Sequence, residues 1–216
     1  GPPGVGKGTR AEFLSRALGA CPLSTVDVFR AAHGKTAAPG AAMAAAQACM
    51  THGDLVPDQI VLDLIGERGR CLRCSGGFML DGFPRTVAQA QALDALLAKE
   101  RLRLDAVINY ELPTEEVVAR LGGRLVCPAC KAVFHVKTCA PRVAGICDQC
   151  GGPLTQRADD HPEAVRVRLE AYHTATEPVA DYYRAQGLLV SIAANDTPGD
   201  ILAHTLDALV ARGLPV

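Results

Sequence analysis

The sequence predicts an α/β protein built as a doubly wound parallel sheet. Three observations carry this. Apolar strand-like runs alternate with helical segments along most of the chain, the pattern of parallel sheets. A glycine-rich loop, Gly1 to Thr9, leads straight into a helix. The run Gly77-Phe-Met-Leu-Asp81 is short, apolar and ends in an acid, so it reads as a buried strand. A length of 216 residues fits one mid-sized core with small inserts. Hydrophobic residues at 49% and charged residues at 21% exclude a disordered chain. No apolar run approaches the roughly 18 residues of a membrane-spanning helix. The 22 basic and 23 acidic side chains give a net charge of -1, which argues against wholesale binding to nucleic acid or an acidic membrane. Of the 22 cations, 17 are Arg. Arg suits the clamping of planar anions, although a GC-rich genome produces the same bias.

Helix is expected from about Lys7 to Leu18, with Phe13, Leu14 and Leu18 on one face. Residues 31–50 are Ala-rich and broken at Pro39-Gly40, which reads as two short helices. Asp58 to Glu67 reads as another. Val87 to Lys99 is helical, with Leu93, Leu96 and Leu97 buried. Ala106 to Leu112 is strand-like. Pro113-Thr-Glu-Glu116 has proline and acids where a helix first turn favours them. Periodicity then fails over 125–157. Helix resumes from Pro162 to Tyr183 with an interruption near Pro178. Leu188 to Ile192 is a strand, and Pro198 to Arg212 a helix that Gly213 ends.

The opening loop carries the first chemistry. Gly4, Gly6 and Gly8 let the backbone curl so that several N–H groups face one anion. The helix behind adds positive potential. Lys7 is placed to reach transferable phosphates, and the Thr9 hydroxyl to serve magnesium. The strict phosphate-loop pattern has Ser or Thr directly after Gly-Lys; here Gly8 intervenes. The motif also expects a strand of about five residues ahead of the loop. Gly1 leaves no residue for it, so that first strand is expected to lie outside this sequence.

Nine cysteines carry the second chemistry. An odd count without a signal-like start disfavours a disulfide framework and leaves metal or free thiols. Cys127-x-x-Cys130 and Cys147-x-x-Cys150 stand 16 residues apart, the spacing of a four-thiolate zinc site. With all four positions filled by protein, such a zinc is structural. The rivals are four reduced structural cysteines or a zinc ribbon that grips nucleic acid. Cys71-x-x-Cys74 repeats the spacing without a second pair, so it is either two free thiols or a second metal or redox site. His135 is read as packing.

Taken in order, GPPGVGKGT, LSTVDVFR at 23–30, LVPDQIV at 55–61, LDGFPRT at 80–86 and QRADD at 156–160 resemble the adenylate kinases, in their long-lid, zinc-bearing bacterial form. The resemblance implies transfer of a phosphoryl group between ATP and AMP, giving two ADP, with Mg2+ carried by ATP and a structural Zn2+. It implies a core of residues 1–24, 57–121 and 159–216, a monophosphate-binding helical insert at 25–56 and a zinc lid at 122–158. Lys7, Arg85, Arg124, Arg157 and Arg168 match the catalytic cations, with Arg166 as the rival to Arg168. Arg120 resembles the residue that stacks on the ATP adenine. Thr25, Arg30, Val56, Gly82, Arg85 and Gln89 match the AMP side. Asp81 resembles the acid that orients magnesium through water, with Asp27 nearby. Asp159 and Asp160 match the acids at the lid's return. The resemblance further implies a cytoplasmic monomer with no nucleic-acid or membrane partner. Kinases of CMP, UMP or GMP, and a nucleotide-binding protein without turnover, are the alternatives.

Val26 departs from this pattern, which has glycine after Thr25. A β-branched residue resists positive φ and adds bulk beside the AMP base. The expected outcome is that Val26→Gly changes the AMP kinetics, in KM above all, while leaving those for ATP alone. Identical AMP kinetics in the two proteins would sink the idea.

Overall fold

The computed structural model describes residues 1–24, 59, 65 and 75–214. The expectations for Thr25, Val26, Asp27, Arg30, Val56, Cys71 and Cys74, and for helices over 31–50 and 58–67, fall outside the described residues or almost wholly so.

The loop enters helix α1, Lys7–Leu18, which Gly19 closes in the left-handed conformation. Strand β1, Cys21–Ser24, follows and pairs in parallel with β2, Phe78–Asp81, in the register Leu23 to Leu80. Helix α2 spans Val87–Lys99, strand β3 Val107–Glu111 and helix α3 Thr114–Gly122. The short antiparallel hairpin β4, Arg124–Val126, and β5, Val133–His135, comes next. Helices α4, Pro162–Ala171, and α5, Glu177–Ala185, lead to β6, Leu189–Ala193, which pairs in parallel with β3. Helix α6, Pro198–Val210, closes the described chain. Helices thus alternate with two parallel strand pairs, as the α/β pattern predicts.

One sequence expectation needs correcting, and a second, the interruption near Pro178, is met. The buried face of α1 is Arg10 and Leu14, with Leu18 half-buried behind them; Phe13 is 45% exposed. The spacing i, i+4, i+8 fixes that stripe, and Phe13 sits a full 100° off its centre. The helix from Pro162 is interrupted before Pro178, by a π-turn at Tyr172–Thr176. Proline has no N–H to donate, and its ring crowds the carbonyl four residues back, so the turn ahead of it widens. Strand β1 carries Pro22, and among the described residues its partner is β2.

The loop is anchored from below. Val5 is 1% exposed and packs with Tyr110, Val190, Ile192, Ala194 and Ile201, so strands β3 and β6 and helix α6 hold it. Burying a valine of this kind contributes about 1.5–3 kcal/mol. Helices α3 and α4 pack through Val117, Leu121, Val165 and Leu169. That contact brings Arg168 on α4 close to the chain leaving α3 at Arg124.

Candidate functional site

The glycines of the loop do two distinct jobs. Gly4 has φ +75°, and a Cβ there would lie 2.7 Å from the Leu121 side chain. Both the turn and the close packing on α3 therefore exclude a side chain. Gly6 has φ +86° and is the N-cap of α1. No side chain caps α1, and its first turn holds no acid. Its leading N–H groups and positive end are left facing the loop, the arrangement that accepts a phosphate.

Lys7 folds back over this loop. Its Nζ donates to the carbonyls of Gly1 at 2.6 Å and Pro2 at 2.7 Å. Burial, against the pull of Asp81 and with the push of Arg85, Arg168 and Arg10, lowers its pKa to about 8. These five charges therefore share one field. Asp81, at the carboxyl end of β2, sits beside the loop: a Cβ on Gly8 would lie 3.6 Å from its Oδ2. The carboxyl end of a parallel strand is where α/β folds place ligands.

Arg85 follows β2 directly. Its Nε donates to the Gly82 carbonyl at 2.9 Å. Its own N–H donates to Gln89 Oε1 at 2.7 Å, while Gln89 N–H donates to Thr86 Oγ1 at 3.1 Å. Thr86 and Gln89 thus form a variant of the capping box at the start of α2. Gln89 fixes the backbone that carries Arg85. Burial depresses the Arg85 pKa, Asp81 opposes that shift, and Arg168 adds to it.

The other arginines converge on one buried acid. Asp160 is 0% exposed and accepts from Arg124 through both oxygens, at 2.7 and 2.5 Å. Arg168 Nη1 reaches the same carboxylate at 3.3 Å, the Asp159 carbonyl at 2.8 Å and the Asp159 carboxylate at 3.0 Å. Arg166, two residues away on α4, pairs at 3.7 Å with Glu163 and is 80% exposed. Arg157 is half-buried at the start of the turn that carries Asp159 and Asp160. Arg120 donates to the Ala194 carbonyl at 2.7 Å and has Glu116 at 3.6 Å. Thr9 is exposed at the first turn of α1.

The Asp160 clamp sets a prediction. Asp160→Asn leaves two guanidiniums facing a neutral amide in a buried place, at a cost of about 3 kcal/mol. The expected result is a lower melting temperature and a kcat reduced at least tenfold, with the loss of rate exceeding that of Arg166→Gln. Steady-state kinetics beside thermal melts check it. Wild-type kcat in the Asn variant would show that the clamp does not aim the arginines.

The cysteine cluster is built from two matching turns. Lys131 N–H donates to the Cys127 carbonyl and Gly151 N–H to the Cys147 carbonyl, both at 2.9 Å. Lys131 and Gly151 are both left-handed, with φ 64° and 71°. All four sulfurs lie within 4.8 Å of one another, with Cys127 to Cys150 and Cys130 to Cys147 at 3.4 Å. A disulfide needs about 2.05 Å. Tetrahedral zinc with Zn–S near 2.3 Å sets the sulfurs about 3.8 Å apart. The sulfurs therefore fit one four-coordinate ion and no bridge. Hydrogen bonding, from the Cys130 N–H first, lowers the Cys127 thiol, while the neighbouring Cys130 thiol moves up. Around the sulfurs, Cys127, Phe134 and Cys147 pack with Leu125, Ala132 and Leu154. His135 stays out of the cluster. Its Nδ1 accepts from the N–H groups of Lys137 and Thr138, and its Nε2 faces the Ala119 carbonyl at 3.4 Å. The ring leans on Gly123, where a Cβ would meet it at 2.3 Å. Cys139 is exposed and outside the cluster.

Among the described residues, sequence reasoning missed Arg10. It lies behind the loop, buried on the inner face of α1. The signal was available: a cation one helical turn before Leu14, on the face that must be buried.

Comparison with known proteins agrees with this geometry. The family model described as adenylate kinase matches residues 1–188. An adenylate kinase of Streptomyces griseus subsp. griseus is 48% identical over 212 residues, covering 98% of this chain and 95% of that protein. One of Streptomyces coelicolor is 47% identical, with 97% and 95% covered. One of Carboxydothermus hydrogenoformans is 46% identical, with 97% and 96% covered.

Proposed function

The chain belongs to the adenylate kinase family and is an ATP:AMP phosphotransferase, and we propose that its loop, arginines and cysteine cluster divide the work as follows. The observation that carries the reading is the single electrostatic field joining Lys7, Asp81, Arg85 and Arg168 at the open end of α1. The attacking AMP phosphate oxygen is already anionic, so no general base is required. What remains is alignment and neutralisation of charge. ATP and AMP together bring about six negative charges. Magnesium arriving with ATP neutralises part of that charge, and the Asp81 carboxylate beside Gly8 is the group placed to orient it through water.

Gly4, Gly6, Gly8, Thr9 and Lys7 bind the ATP phosphates through the loop backbone and the ammonium. Lys7 must leave the Gly1 and Pro2 carbonyls to do so. Arg124, Arg157 and Arg168 stabilise the group in flight, held by Asp160 in the first and last cases. Arg120 carries the adenine. Arg85, aimed by the Gly82 carbonyl and by Gln89, holds the AMP phosphate with Arg30; Thr25 and Val56 complete that pocket.

Residues 122–158 act as a lid over ATP and 25–56 as the cover over AMP, on a core made of the remaining residues. The cysteine turns give the lid segment its own small core, so it closes as one body and excludes water that would otherwise accept the phosphate. Zinc is the ion proposed for the four sulfurs, and its role is structural. No helix among the described residues is long and apolar enough to cross a membrane. The working form is proposed to be a cytoplasmic monomer without a nucleic-acid or membrane partner.

A coupled assay for ADP formation tests the reading. ADP from ATP and AMP, and much less from CMP, UMP or GMP, is the expected result. Preference for another monophosphate transfers the reading to that kinase; no turnover with tight ATP binding makes it a nucleotide-binding protein.

A further inference from the structure

Arg10 presents an unusual electrostatic situation. Its side chain is 6% exposed. Its Nη1 donates to the Val5 carbonyl, and its Cζ stands 4.8 Å above the centre of the Tyr110 ring. A Cβ on Gly6 would lie 3.0 Å from Nη1, so the guanidinium lies directly behind the left-handed residue of the phosphate loop. Its Nε is buried without a hydrogen-bond partner, and no carboxylate pairs with it among the described residues. Among the described residues its charged neighbours are cations: it shares the fields of Lys7 and Arg120.

A buried charge persists where an opposite charge balances it. One carbonyl and the face of a tyrosine ring supply only part of that balance. The counter-charge missing among the described residues is one that bound ATP would bring to the loop in front of Gly6. We propose that Arg10 is a positioning residue for the phosphate loop whose buried charge is balanced by the phosphates of bound ATP. It fixes the Val5 carbonyl and the Gly6 turn, and it adds positive potential from behind the loop. The nucleotide-free protein then carries an unbalanced charge that ATP relieves. This deepens the proposed function and rests on the loop being its ATP site.

The two readouts of this proposal point in opposite directions, which a merely structural arginine would not do. In Arg10→Met, the apolar side chain fills the same space without the charge. The nucleotide-free melting temperature is expected to stay level or rise. The KM for ATP is expected to rise about tenfold, the scale of one lost charged contact, with the KM for AMP little changed. The rise in melting temperature on adding inorganic tripolyphosphate should shrink in step. Arg10→Lys, which keeps the charge but not the planar fork, should retain most of the ATP affinity. An unchanged KM for ATP in Arg10→Met overturns the proposal. So does a Met variant that melts lower, or fails to fold, while Arg10→Lys behaves as wild type only in stability. The tripolyphosphate shift is read whether or not the wild-type chain turns over. Absence of wild-type turnover refutes the functional reading, whereas normal turnover with a Met variant like wild type refutes this inference alone.

Discussion

Lys7→Met abolishes phosphoryl transfer and leaves the protein folded. The loss in kcat is expected to reach about 10^3 or more, since one preorganised donor to the transferring group is worth about 10^2 to 10^3. Lys7 directly follows Gly6, and its two present partners are backbone carbonyls that, on the proposed reading, it would exchange for phosphate oxygens. Stability should move the other way. Burial lowers the Lys7 pKa from 10.5 to about 8. Below pH 8 the folded protein keeps it protonated at a cost of roughly 3 kcal/mol relative to the unfolded chain. That cost fades as pH rises from 8 towards 10.5, where the unfolded chain also releases the proton. The nucleotide-free Met variant is therefore expected to be the more stable protein at pH 7, with the difference shrinking above pH 8. Nucleotide binding restores the ammonium and takes up a proton in the same window, so ATP affinity should fall as pH climbs past 8. Kinetics, denaturation at several pH values and calorimetry in buffers of different ionisation enthalpy measure the three effects. A Met variant with wild-type turnover would remove the loop from the active site.

Much of this was legible in the sequence because the chemistry is local. The glycine pattern before Lys7 dictates its own backbone, and positive φ at Gly4 and Gly6 is the physical form of that motif. The two CxxC turns are equally local, and each closes on two backbone hydrogen bonds to its first cysteine. Helix α2 was readable from Leu93 and Leu97, which the core buries completely or nearly so. What the sequence hid depends on neighbours distant along the chain. Asp160 becomes the hub of Arg124 and Arg168 only once α3 packs on α4 through Leu121 and Leu169. Gln89 matches the AMP side by resemblance, yet its Oε1 also holds the Arg85 backbone. Arg10 was passed over because the helix pattern was read from its apolar residues alone. Phe13 was chosen for the buried face by hydrophobicity, and the geometry of the stripe gave that place to a cation.

Removal of metal from the cysteine cluster is expected to lower the melting temperature by about 10 °C or more while initial turnover in the cold largely survives. The segment around the sulfurs has a core of only Cys127, Phe134 and Cys147, with three half-buried neighbours. So few apolar side chains cannot hold the whole of 122–158 in order against its conformational entropy, and the proposed structural ion would make up the difference. A loss near 4 kcal/mol corresponds to roughly 10 °C in a chain of this size. Cys147→Ser, which removes a ligand that is 2% exposed, should reproduce the effect of chelation. Cys139→Ser, which changes an exposed thiol outside the cluster, should not. Elemental analysis of the native protein is expected to give one zinc per chain, lost in Cys147→Ser. Two results would count against a structural ion. An unchanged melting temperature after chelation would leave the sulfurs as four packed thiols. Complete loss of turnover with the melting temperature intact would make the metal a participant in the chemistry, which four protein ligands leave no open position to support.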